Sequence, residues 1–95
     1  MFRSNKVDGT RPKEHDVMLY TLSTCIWCKK AKKLLDGLGT PYEFINVDEL
    51  SGEDKAEAVK ELGKFNPRCT FPTMVIDDKE CIVGFKEDQI KKVLS

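Results

Sequence analysis

The 95-residue chain carries 16 Lys and Arg against 16 Asp and Glu, a formal net charge of zero. That length suggests one domain with a modest core, and the charge balance removes the electrostatic case for nucleic acid as a main partner. Hydrophobic residues make up 40% and charged residues 34%, a soluble globular mix, with no apolar run long enough for a membrane span. Residues 1–6 lack the apolar segment of a secretory signal. The expected setting is therefore a reducing cytoplasm, where cysteines are more often catalytic or metal-binding than structural disulfides.

Residues 1–15 show neither helical nor strand periodicity and mix Gly9 and Pro12 with charges of both signs. They are expected to form a flexible N-terminal tail, with the domain spanning 16–95. Residues 16–21 are short and apolar, as suits a buried central strand. A helix from about Ile26 to Leu38 follows, with Cys28, Ala31, Leu35 and Leu38 on one apolar stripe and lysines elsewhere. Gly37 and Gly39 end it, and Thr40-Pro41 turns the chain. Residues 42–47 read as a second strand. Ser51 and Asp54 resemble a capping box opening a helix whose apolar face is Ala56, Val59 and Leu62, with Gly63 as C-cap. Residues 71–76 and 81–83 read as strands of an antiparallel hairpin turning at 77–80. A last helix, 87–94, puts Ile90, Val93 and Leu94 inward, acids first and lysines last. The order β-α-β-α-β-β-α is satisfied by an α/β fold, a four-stranded mixed sheet with helices on both faces.

Cys25 and Cys28 stand at the seam between the first strand and the first helix. Cys25 lies at or just before the first helical turn, where unpaired N–H groups and the positive end of the helix dipole favour a thiolate. Cys28 belongs to the apolar stripe and points inward. This asymmetry assigns Cys25 as the nucleophile that attacks a disulfide and Cys28 as the thiol that resolves the mixed disulfide. The same spacing occurs in zinc sites, but zinc usually takes a second such pair. Cys69 and Cys81 fall on either side of a hairpin and the lone His15 lies in the tail, so no metal ligands are assigned. A structural disulfide closing so small a loop would stabilise little. Cys69 lies about 20 Å from Cys81 at strand rise, beyond the roughly 7 Å limit between Cα atoms, so those two are expected to be unbonded. Cys81 is expected opposite Val75 or Ile76 as a small buried hydrophobe, and Cys69 near the active site.

Three segments together resemble the glutaredoxin branch of the thioredoxin-like family. They are Cys25-Ile26-Trp27-Cys28-Lys29 after a strand, Thr70-Phe71-Pro72-Thr73 opening one, and Val83-Gly84-Phe85 after a hairpin, and the likeness covers about residues 16–94. The resemblance implies a thioredoxin-like fold and a cis Phe71–Pro72 bond that sets the Phe71 backbone beside Cys25. A substrate peptide or glutathione would pair there like an added strand, on a surface made by Trp27, Arg68, Thr70, Phe71, Pro72 and Gly84. Two departures weaken tight glutathione binding. Leu22 stands where such glutaredoxins usually carry lysine, and Lys86 stands where an acidic residue is expected. Arg68 remains available for a carboxylate. The run Gly84-Phe85-Lys86-Glu87-Asp88 is closer to the small redoxins that donate electrons to ribonucleotide reductase and are fed by a thioredoxin-reductase-type flavoprotein.

The reading that follows is a monomeric, cytoplasmic dithiol–disulfide oxidoreductase that reduces protein disulfides through Cys25 and Cys28. It needs no tightly bound cofactor and takes electrons from glutathione, another low-molecular-weight thiol or a flavoprotein. The alternatives are a glutathione-dependent or iron–sulfur or metal-carrying glutaredoxin, and a binding adaptor.

Overall fold

The computed structural model describes residues 4–94. Along them run β1 (Asn5–Val7), β2 (Val17–Thr21), α1 (Ile26–Leu38), β3 (Tyr42–Asn46), a 3-10 turn (Val47–Glu49), α2 (Gly52–Phe65), β4 (Thr73–Ile76), β5 (Glu80–Val83) and α3 (Glu87–Leu94). Among the described residues one sheet takes the order β1-β3-β2-β4-β5. Strands β2 and β3 are parallel; β1 with β3, β2 with β4, and β4 with β5 are antiparallel. This is the thioredoxin-like α/β fold.

Alternation along the central strands builds two cores. Val17, Leu19, Met74 and Ile76 meet Ala31 and Leu35 of α1 and Ile90 and Leu94 of α3 on one face. Tyr20, Ile45 and Val75 meet Leu62 of α2 and Val47 on the other. Because successive strand side chains point to opposite faces, β4 is buried along all four residues. That two-sided burial is why Met74, Val75 and Ile76 run apolar without alternation.

Four expectations are corrected. The sheet has a fifth strand: Asn5, Lys6 and Val7 pair with Phe44, Glu43 and Tyr42. Residues 4–15 are therefore not a structureless tail; residues 1–3 of that reading lie outside the described residues. The Ser4 hydroxyl donates to Glu43 Oε1 at 2.6 Å, and the Arg11 N–H donates to the Gly39 carbonyl at 3.0 Å. His15 Nδ1 and the Asp16 N–H both lie 2.8 Å from the Asp77 carboxylate. An edge strand of three mostly exposed residues has one outer face in water, so it leaves no apolar period to read. In α2 the inward residue is Ala58, fully buried beside Leu62, while Ala56 and Val59 are exposed. That helix continues through Gly63 to Phe65 and is capped by Asn66, whose N–H donates to the Leu62 carbonyl. Ser51 is its N-cap, but the side chain makes no capping hydrogen bond.

At the end of α1, Gly39 adopts φ 71 and sends its N–H back to the carbonyls of Asp36 and Leu35, a left-handed cap that glycine adopts without steric penalty. A Cβ there would also run into the Thr10 hydroxyl. Gly39→Ala is expected to destabilise the fold by about 1 kcal/mol or more, read as a lower urea midpoint; an unchanged midpoint would show that the cap is not needed.

Candidate active site

Cys25 and Cys28 sit where β2 hands over to α1. Thr21, fully buried at the end of β2, donates its hydroxyl to the Ile45 carbonyl at 2.9 Å, which fixes the strand end. The next turn is tied to the opposite loop, since the Ser23 N–H donates to Asp48 Oδ1 at 2.9 Å and its hydroxyl to Asp48 Oδ2. Cys25 then takes extended geometry (φ -81, ψ 117) as the N-cap of α1. Its N–H donates to the Leu22 carbonyl at 3.1 Å, and its Sγ accepts from the Cys28 N–H at 3.3 Å. A sulfur in this position replaces the oxygen of a conventional N-cap and receives one of the unpaired first-turn donors.

Cys25 is partly exposed, whereas Cys28 is 0% exposed. Burial pushes the Cys28 thiol up to about 12, and its hydrogen bond to Cys25 adds to that rise. Cys28 is thus a protonated, sheltered thiol one helical turn behind an accessible one.

The second wall comes from the loop into β4. The Phe71–Pro72 bond is cis, Pro72 is buried and Phe71 half-buried. The Gly84 N–H donates to the Pro72 carbonyl at 2.8 Å, tying this loop to the end of β5. Trp27, Phe71, Pro72, Gly84 and Phe85 line a pocket of about 250 Å³. Trp27 is 53% exposed and stacks on Phe85 with ring centres 6.1 Å apart, an offset arrangement typical of aromatic pairs. Lys30 Nζ stands 4.4 Å from the centre of the Trp27 ring.

Of the residues expected to meet substrate, Trp27, Phe71, Pro72 and Gly84 converge on this pocket, and Trp27 belongs to the first turn of α1, which Cys25 caps. Arg68 and Thr70 are not among its lining residues. Arg68 is exposed and its backbone N–H donates to Asn66 Oδ1. The Thr70 hydroxyl accepts from Asn66 Nδ2 at 2.9 Å. Cys69 packs against the α2 side of the core, its Sγ 3.9 Å from the Val59 carbonyl. Cys81 pairs in register with Val75 and is half-buried rather than fully buried. All four cysteines are free thiols. Among the described residues no three His, Cys, Asp or Glu side chains gather where they could hold a metal ion, and no helix is long and apolar enough to cross a membrane.

Sequence reasoning missed three contributors. Phe85 stood beside the recognised Gly84, but nothing distinguished it from a core phenylalanine. Asn66 is 5% exposed and bridges Thr70 and Thr73, with its Nδ2 3.0 Å from the Thr73 hydroxyl, so it braces the loop that carries Phe71 and Pro72. The Asn66-Pro67 pair carried a turn signal but no sign of burial. Asp48 holds Ser23, a contact between loops far apart in sequence. The Ser23 hydroxyl and N–H hold the Asp48 carboxyl below its ordinary value of 3.8. With a depressed folded pKa, the tether is intact above the ordinary carboxylate range and lost as pH falls through the folded value. The Asp48 carboxylate is expected to titrate below 3.8 by NMR, and Ser23→Ala to bring the midpoint back up. An identical midpoint in both proteins would contradict the tether.

The site sets an accessible cysteine in front of a buried one at the start of α1, on a thioredoxin-like sheet. The glutaredoxin family model matches residues 17–82. Glutaredoxin 1 of Rickettsia conorii is 38% identical over 86 residues, covering 84% of this chain and 81% of that protein. The match to glutaredoxin 1 of Rickettsia prowazekii spans 64% of that protein's length. Among solved structures, Methanosarcina acetivorans methanoredoxin is 49% identical with a TM-score of 0.81, covering 84% of each chain. The glutaredoxin from Methanosarcina mazei Go1 is 47% identical with a TM-score of 0.88, covering 98% of this chain and 88% of that one. The chain belongs to the glutaredoxin family of thiol–disulfide redox proteins.

Proposed function

We propose that the protein is a dithiol–disulfide oxidoreductase that reduces protein disulfides through Cys25 and Cys28 and so serves as an electron donor. The observation that most supports this is the asymmetry of the pair, an accessible N-cap sulfur in front of a fully buried thiol. The Cys25 thiolate attacks one sulfur of the partner's disulfide, forming a mixed disulfide and releasing the other sulfur as a thiolate. Cys28 then attacks Cys25 Sγ. The Cys25–Cys28 bond forms, the Cys28 proton passes to the departing sulfur, and the partner leaves fully reduced by two electrons.

The pair is reset by two reducing equivalents. Leu22 in place of lysine and Lys86 in place of an acid favour a thioredoxin-reductase-type flavoprotein as their source, with protein disulfides such as that of ribonucleotide reductase as targets, in the cytoplasm and as a monomer. The open pocket beside Trp27 supports a second reading, in which glutathione or another low-molecular-weight thiol docks there as reductant. An iron–sulfur-carrying role has less support, because the same two substitutions weaken the glutathione site such a cluster would share.

The test is insulin disulfide reduction at a fixed concentration of dithiol reductant. The reading predicts a rate well above the reductant alone and proportional to added protein. A rate no greater than the reductant alone would overturn it.

A further inference from the structure

A groove of about 510 Å³ lies between α1 and α3, separate from the pocket beside Trp27 but sharing one wall with it, because Phe85 lines both. Its floor is apolar, made by Leu34, Leu38 and Phe85. Its rim is basic. Lys91 is paired with Glu87 at 3.0 Å, so the excess positive charge comes from Lys30 and Lys33, and Lys30 also reaches the Trp27 ring.

Gly37 adds an independent observation. It lies in the last turn of α1, lines the groove, and a Cβ placed on it would meet nothing within 4 Å. Glycine in helical geometry is less stable than alanine, and no neighbour within the protein requires the missing side chain. The bare backbone leaves this part of the groove wall without a side chain.

We propose that this groove docks the disulfide-bearing partner protein, receiving an acidic segment of it that carries a bulky apolar side chain and lies close in the partner's chain to the disulfide presented to Cys25. The apolar side chain sits over Leu34, Leu38 and Phe85, and its flanking carboxylates meet Lys30 and Lys33. Continuity through Phe85 lets one extended segment occupy both the groove and the pocket, so contacts far from the reacting sulfurs contribute to selectivity. Exposed charges at such a rim act chiefly on association rate and partner choice. The proposal rests on the reading of Cys25 and Cys28 as the redox pair.

The test uses three disulfide substrates: bis(2-hydroxyethyl) disulfide, a peptide disulfide flanked by alternating leucine and glutamate, and the same peptide with lysine for glutamate. The intact protein is expected to reduce the acidic peptide faster than the basic one. Lys33→Glu is expected to lower kcat/KM for the acidic peptide roughly tenfold, since one attraction becomes one repulsion, and to leave the small disulfide unchanged. Gly37→Ala is expected to raise the urea midpoint while lowering kcat/KM for the acidic peptide alone. Equal rates on the two peptides, or no loss in Lys33→Glu, would overturn the proposal. So would self-association by sedimentation that Lys33→Glu abolishes without affecting peptide reduction, because the groove would then hold a second copy. Fluorescence anisotropy of a labelled acidic peptide with serine for its cysteine separates the two readings. Binding lost in Lys33→Glu, in a protein that reduces none of the three disulfides, supports the groove and overturns the redox assignment.

Discussion

Cys25→Ser is expected to lower kcat/KM for a protein disulfide by roughly a thousandfold or more, the scale on which loss of a covalent nucleophile acts, while leaving the fold intact. A serine hydroxyl can still accept the Cys28 N–H and cap α1, but it is not ionised at neutral pH and cannot attack sulfur. Cys28→Ser separates the two half-reactions. Attack by Cys25 proceeds, resolution does not, and a mixed disulfide between Cys25 and the substrate accumulates that mass spectrometry reads as an adduct at Cys25. The fully buried position of Cys28 predicts that no adduct forms on it in Cys25→Ser. An adduct on Cys28 in that variant, or full activity without Cys25, would reverse the assigned roles.

Leu35→Ala is expected to be among the most damaging single changes to stability. Leu35 is 0% exposed and belongs to the core that joins α1, α3 and the sheet. Truncation removes buried apolar surface and leaves a cavity that the surrounding rigid elements fill only in part, a loss of about 2–5 kcal/mol. The consequence reaches the site, because α1 positions both cysteines and its apolar stripe is what holds Cys28 inward. The measurement is urea unfolding, with an unchanged m-value and a much lower midpoint. A loss below about 1 kcal/mol would mean that the core collapses around the gap and that α1 is not held as described.

What was legible in the sequence is what repeats at short range. The stripe Cys28, Ala31, Leu35 fixed the inward face of α1, and with it the burial of Cys28. Gly39 marked the helix end because a left-handed cap has a residue preference of its own. The cis bond before Pro72 came from a family resemblance rather than from the residues, which on their own fitted an ordinary strand start equally well. What was not legible depends on contacts between distant segments. Asn5, Lys6 and Val7 become a strand only because β3 offers them a free edge. In α2, Ala56, Ala58 and Val59 are similar candidates by period, and the rotation of the helix against the sheet turns Ala58 inward with Leu62, one turn on. Arg68 and Thr70 enter the site through the family resemblance, and their link to Asn66, which bonds the Thr70 hydroxyl and the Arg68 backbone N–H, has no signal in the sequence.

If Cys25 and Cys28 form a reversible redox pair, the bond between them can be followed optically. The most direct measurement equilibrates the protein anaerobically in defined thiol–disulfide buffers and follows fluorescence of Trp27, the single tryptophan, which lies between the two sulfurs in sequence and is half in solvent. One reversible two-electron transition is expected that vanishes in Cys25→Ser, at a potential that ranks flavoprotein against glutathione as the electron source. No transition across the whole range of buffers, in a protein that unfolds cooperatively, would contradict it.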